Sequence, residues 1–340
     1  MTPPTSGPNN PYSEEEPYAN ALLRGIELAV EDVFDNPGRN ITRTEQEKLC
    51  YFAIKEFDLP VTYSWYLAGA HTKVAGEPDN APGRMTTNTG GVRRDHGERE
   101  EVQQYRDYFA SEVFFDDYDL REVWYTGKFD FLRDFYQECA PDEYTGLYIT
   151  STYIREHLET LDETIERDTT NHSLSDYGGG SQEGLLSESD EREFRLFISD
   201  LHLELAEIDE LAEVVDLVAQ GTDVIEQVFA QLTTLESIST EQETVLQDLA
   251  SYFYYDVWRY PALYISTQTA EGPNRHYLIE EHADRFTSFH EDLLSRRNRL
   301  SERCSDTDLY PRAGLHSQRV DEEQMAHLHD MAREVLEGTE

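Results

Sequence analysis

Apolar residues recur at helical spacing over most of this chain. In residues 18–35 (YANALLRGIELAVEDVFD), Leu22, Ile26, Ala29, Val30 and Val33 share one face and Asn36-Pro37-Gly38 supplies a stop, which predicts a first helix. A second is predicted over 43–57, with Leu49, Phe52, Ala53 and Phe57 facing inward. After Pro60 the pattern changes: Val61-Thr62-Tyr63-Ser64-Trp65-Tyr66-Leu67 is β-branched and aromatic, the composition of a short strand. Helices resume over 98–114, 120–139 and 141–167. Leu120, Trp124, Phe131, Phe135 and Cys139 stripe the middle one, and Pro141 suits the first turn of the last.

The second half is more regular. Phe194, Ile198, Leu201, Leu205, Ile208, Ala212, Val215 and Ala219 alternate steps of four and three, a heptad seam that predicts one long coiled-coil-like helix ended by Gly221. A shorter helix follows over 223–235, and Thr240 with Glu243 offers a capping box for another that runs toward Ile265, kinked at Pro261. Ile279, Ala283, Phe286, Phe289, Leu293 and Leu300 stripe a long helix over 275–303, and a final one is predicted over 321–337. Short connections between long amphipathic helices make antiparallel neighbours. The expected fold is therefore mainly α: a helix-rich N-terminal module with a short strand, linked to an antiparallel helical bundle.

Two stretches lose their large apolar residues. Residues 76–97 collect Gly, Pro, Asn, Thr and Arg and read as a mobile loop, while 168–190, with Gly178-Gly179-Gly180 and many serines, reads as an interdomain linker. The expected organisation is a disordered tail over 1–17, an N-terminal domain over 18–167, the linker, a bundle over 191–304, and a C-terminal segment over 305–340.

Charge changes the picture of the solvent. Asp and Glu number 70 against 28 Lys and Arg in 340 residues, a net −42, and the only lysines are Lys48, Lys55, Lys73 and Lys128. Carboxylates hold water and hydrated cations, so the pattern suits an acidic halophilic protein in molar salt, of the haloarchaeal type. A content of 38% hydrophobic and 11% aromatic residues still supports a core. Residues 1–17 have neither a basic nor an apolar leader region, and no stretch approaches the ~18 apolar residues of a membrane span, so the expected location is the cytoplasm, away from the membrane.

Such acidity disfavours nucleic acid, yet at molar salt the Debye length is about 3 Å, and a local cluster of cations decides the matter. Arg93 with Arg94, and Arg296 with Arg297 and Arg299, are the clusters that would contact phosphate; Arg303, Arg312 and Arg319 form a looser third.

Candidate chemistry is sparse. Asp200, His202 and Glu204 alternate along a predicted helix, so only the two carboxylates share a face, and His327 and His329 have the same spacing. Glu280, Glu281, His282, Asp284 and His290 cluster, but Ile279 stands three before His282 where a di-metal bundle needs Glu. No H-E-x-x-H, P-loop, dinucleotide fingerprint or nucleophile elbow occurs. Cys50 and Cys139 lie along apolar stripes as small hydrophobes, and Cys304 beside Arg303 invites a lowered thiol pKa. No catalytic residue, metal site or cofactor is expected.

The stretch Ile41 to Thr72, ITRTEQEKLCYFAIKEFDLPVTYSWYLAGAHT, resembles the opening of the SocA-like (Panacea) and YwgA-like phage-associated modules. Lys48, Leu49, Tyr51 and Phe52 match the helix of that opening, Tyr63 and Tyr66 match its aromatic strand, and Gly69 matches a Gly that usually precedes Pro; here Ala70 follows. The resemblance implies a compact helix-rich module that recognises another protein or serves a toxin, antitoxin or mobile-element role. It carries over no catalytic residue. Read without it, Lys48 sits on a core helix and snorkels to water.

Two functions follow as expectations. The first is a non-enzymatic interaction or regulatory protein that binds a protein partner, or a second copy of itself, through apolar helix faces. The alternative is a nucleic-acid-acting protein, a winged-helix-like regulator or mobile-element defence factor, working through the clustered arginines.

Overall fold

A computed structural model describes residues 11–34, 39–72, 100–115, 118–166 and 184–310, and in these the chain is mainly helical with one short antiparallel hairpin. The loop 76–97 with Arg93 and Arg94, most of the segment 168–190, and the helix expected over 321–337 lie outside the described residues.

The N-terminal half follows its pattern closely. Helix α1 spans Glu16–Val33 and α2 spans Arg43–Phe57. Helix α2 begins where the Thr42 hydroxyl accepts from Glu45 N while the Glu45 carboxylate accepts from Thr42 N, and it ends at Asp58 in the left-handed region. The aromatic strand is shorter than expected and has an unforeseen partner: β1 (Tyr63–Tyr66) turns through Leu67-Ala68 and pairs with β2 (Gly69–Thr72), Tyr63 opposite Thr72 and Tyr66 opposite Gly69. Every hairpin residue is buried, because β2 lies against α2 and β1 against a helix from the far half of the chain. That double burial explains why the strand lacks the alternation of a half-exposed one.

Helix α3 spans Glu100–Phe109 and packs along α1. The helix expected over 120–139 is two: α4 (Leu120–Tyr125), capped by Asp119, and α5 (Lys128–Cys139), separated at Thr126-Gly127. A single 3₁₀ turn at Asp142–Tyr144 leads into α6 (Thr145–Glu159).

The heptad seam breaks midway. Helix α7 (Glu188–Glu207) buries Phe194, Ile198, Leu201 and Leu205, but Ile208 is extended and the fully buried Leu211 pins a turn. Beyond it the next helix, α8 (Val215–Leu232), is phased on Leu217, Val218, Val224, Ile225 and Val228, leaving Ala212 exposed. Gly221, expected to end a helix, lies inside α8, where a Cβ would stand 2.9 Å from Val257 Cγ2. Helix α9 (Thr240–Tyr252) is capped one residue earlier than expected, by Ser239 with Gln242. The expected kink at Pro261 becomes a π turn over Phe253–Val257, closed by Trp258 N on Phe253 O at 2.7 Å; this wider turn precedes the proline, which has no N–H to offer Val257. Helices α10 (Arg259–Gln268) and α11 (Arg275–Asp306) then pack against each other, and α10 lies against β1.

One continuous core of buried apolar residues runs from α1 to α11. Tyr12 and Glu15, in the stretch read as a tail, are buried, and Glu15 accepts from Thr62 N, Thr62 Oγ1 and Asn274 Nδ2 at 2.6–2.7 Å. Leu185 and Leu186, at the end of the stretch read as a linker, are buried against α8. No helix among the described residues is long and apolar enough to cross a membrane.

Candidate functional site

The hairpin brings residues from both halves of the chain around an open cleft of about 460 Å³. Tyr51 from α2, Tyr63 and Trp65 from β1, Tyr144 before α6 and Tyr264 from α10 give it aromatic walls; Glu143, Glu210 and Glu271 supply three exposed carboxylates. Its floor is rigid. Tyr51 meets Tyr63 and Trp65 edge-on at 5.5 and 5.7 Å between ring centroids, and Trp65 N donates to Thr269 Oγ1 at 3.0 Å. Glu271 is placed by the backbone: it exchanges hydrogen bonds with Tyr63 on the side opposite β2, at 3.1 and 2.9 Å.

The field in the cleft is negative. Burial, reinforced by the Glu271 carboxylate, raises the Tyr63 hydroxyl well above its ordinary value. Burial and the charges of Glu143 and Glu210 raise Tyr144, and the same two carboxylates add to burial in raising Tyr264. The cation at the rim is Lys55, whose Nζ lies 3.2 Å from Tyr63 Oη, 5.8 Å from that ring's centroid and 3.7 Å from Glu271 Oε2.

Lys48, Tyr66 and Gly69 sit behind this floor and do not reach the cleft. Lys48 is fully buried rather than snorkelling: its Nζ donates to Ala70 O at 3.0 Å and stands 5.2 Å from the Phe135 centroid. Burial lowers it to about 8, against the opposing pull of Glu47. Glu47 accepts from Arg43 Nε and lies 3.1 Å from His71 Nδ1; burial alone would raise its carboxyl, but His71, Lys48 and Arg43 hold it down to about 2. Tyr66 Oη accepts from Arg259 Nε at 2.8 Å, and Gly69 has φ +87° with Tyr136 Cε1 2.7 Å from where a Cβ would stand. A second buried chain links Ser64 Oγ, Ser266 Oγ and His282 Nδ1.

The other sequence candidates among the described residues do not line this cleft. Arg296 pairs with the buried Asp256, which also lies within electrostatic reach of Arg259 and Arg299; Arg297 Nη1 donates to Asn298, and Arg303 pairs with Asp248 at 2.7 Å. His202 bonds Thr222 at 3.0 Å, away from Asp200 and Glu204. His282 is buried while Glu280 and Asp284 on the same helix are exposed. Among the described residues no three His, Cys, Asp or Glu side chains are grouped to hold a metal ion. Cys304 departs from expectation: burial outweighs Arg303 and raises the thiol to about 12.

Of the aromatic motif, then, Tyr51 and Tyr63 reach the cleft. Tyr144, Tyr264 and the three carboxylates carry no local pattern that marks them; Glu271 in particular stands in a Glu-Gly-Pro stretch that reads only as a helix stop. No curated protein and no solved structure gives a match to this chain. Residues 9–336 match a domain of unknown function (DUF8098), and the chain belongs to that family.

Proposed function

We propose that this chain is a non-enzymatic interaction or regulatory protein that binds a protein partner through its helical surfaces, with the aromatic cleft as its recognition site. The observation that supports this is the cleft itself: Tyr51, Tyr63 and Trp65 form its closely packed floor, while Glu143, Glu210 and Glu271 stand at its solvent side. Tyr264, half-buried, and the exposed Gln268 are what the cleft presents to a partner, because Tyr51, Tyr63 and Trp65 are buried beneath them. The likeness of Ile41 to Thr72 to the SocA-like modules fits this reading, since Tyr51 and Tyr63 are the members of that motif that reach the cleft. The nucleic-acid alternative has weaker support, because Arg296 and Arg303 are engaged by Asp256 and Asp248.

The test is site-directed photo-crosslinking in molar KCl, with a benzophenone side chain replacing the exposed Gln268 at the cleft and, as a control, the exposed Asp292 on α11. A discrete protein adduct from position 268 alone is the expected result. Adducts of equal yield from both positions, or none, would refute the reading.

A further inference from the structure

Three arginines meet around one carboxylate where the π turn packs against α11. The wider turn over Phe253–Val257 carries Asp256, Arg259 follows at the start of α10, and α11 contributes Arg296 and Arg299. Arg296 Nη1 donates to the buried Asp256, and Arg259 and Arg299 lie within electrostatic reach of the same carboxylate. The guanidinium carbons of Arg259 and Arg296 stand 5.5 and 5.9 Å from the centroid of the Phe289 ring, which gathers both heads about one side chain.

Each head keeps donors without a partner among the described residues. Arg259 commits Nε to Tyr66 Oη at 2.8 Å, Arg296 commits Nη1 to Asp256, and Arg299 commits Nε to Ser295 O in its own helix at 3.4 Å. Asp256 is the one carboxylate among the described residues that forms an ion pair with any of the three. It can neutralise a single guanidinium, so two positive charges stay uncompensated in a chain whose net charge is −42. Water reaches them: Arg259 is half-buried, the Arg296 side chain is 41% exposed and Arg299 is exposed.

We infer that Arg259, Arg296 and Arg299 form a binding site for a phosphate dianion, with Asp256 and Tyr66 fixing two of the three heads from behind. Guanidinium forks match the oxygens of phosphate and carboxylate alike, and the surplus of two charges favours the doubly charged group. At a Debye length of about 3 Å in molar salt only direct contact counts, and a spherical, singly charged chloride cannot use the fork. Nucleic acid would ask for a row of cations along its backbone; a single site of this kind suits one phosphate, as the free ion or as the head of a small ester. None of the four residues lines the aromatic cleft, so this site is separate from the surface assigned to a protein partner.

Isothermal titration of the full chain in molar KCl at about pH 8, where phosphate is mostly doubly charged, tests the assignment. The probes are inorganic phosphate, AMP and acetate. Saturable binding of phosphate or AMP, and none of acetate, is expected; tighter AMP identifies an ester as the ligand, equal binding the phosphate group itself, and phosphate alone the free ion. Arg299→Gln alters an exposed side chain whose printed bond stays within its own helix, and should weaken the phosphate probes about tenfold. Arg195→Gln, on α7, should leave them unchanged. No saturation with either phosphate probe, acetate binding as well as they do, an Arg299→Gln chain that binds as the parent does, or equal losses from both variants would each overturn the site.

Discussion

Ser64 and Ser266 lie with their hydroxyl oxygens 2.5 Å apart, although 202 positions separate them in the chain. His282 Nδ1 reaches the same Ser266 oxygen at 2.6 Å, and none of the three side chains is more than 1% exposed. Ser266→Ala removes the shared oxygen and strips a buried partner from two groups, which should cost about 2–3 kcal/mol. Ser64→Ala should cost about 1 kcal/mol, and the double variant less than the sum of the two. Chemical denaturation of the four proteins checks this; strict additivity would contradict the coupling.

The Glu47 and Lys48 pair predicts opposite pH limbs. Glu47 is held at about 2 against an ordinary 4.5, so its contribution is fully present above pH 4.5 and is lost as pH falls toward 2. Glu47→Gln should therefore cost about 3 kcal/mol at neutral pH, with the gap to the parent closing in acid.

Lys48 works the other way. Lowered to about 8 from 10.5, it leaves the unfolded chain holding more protons between those values, so its presence makes stability rise with pH through that window. Lys48→Met should lack the rise. Melting curves of the parent and Lys48→Met compared between pH 8 and about 9, where unfolded tyrosines with an ordinary pKa near 10 are still mostly protonated, give the answer.

Gly69→Ala meets two obstacles at once, the positive φ and the Tyr136 ring, and should cost about 3 kcal/mol. Gly127→Ala is the control. Its φ is −57° and a Cβ there comes no nearer than 3.2 Å, to Asp130 Oδ2, so a change within about 0.5 kcal/mol is expected.

With 70 acidic against 28 basic residues, unscreened repulsion opposes the compact state in dilute buffer. The melting temperature should climb by about 10 °C or more between dilute and molar KCl. A flat or falling profile would contradict this.

Helix positions were legible where the determinants are local. Helix α2 starts at Arg43, as its apolar spacing predicts, and the structure adds the Thr42-x-x-Glu45 cap that fixes that start. Around Ser239 and Thr240 two overlapping capping patterns are available, and packing selects the earlier. The second hairpin strand, Gly69-Ala70-His71-Thr72, carries no strand signature, because its burial is set by α2 and by residues from the other half of the chain. The seam from Phe194 to Ala219 misleads past Leu205 because heptad spacing records periodicity and not the turn that Leu211 anchors. The cleft was half legible for the same reason: Tyr51 and Tyr63 belong to one readable stretch, whereas Tyr144, Tyr264 and Glu271 meet them only through long-range packing.

The locking of the hairpin turn by Trp258, whose indole N–H donates to Leu67 O across 191 positions, has a temporal side. A ribosome adding about 5–20 residues per second takes roughly 10–40 s to deliver that tryptophan after the hairpin itself is made. For that interval the nascent chain carries an aromatic strand with an open edge and nothing from α10 to cover it. The dense negative charge carried along the chain sets neighbouring nascent chains to repel one another over that same interval, which opposes pairing along the open edge.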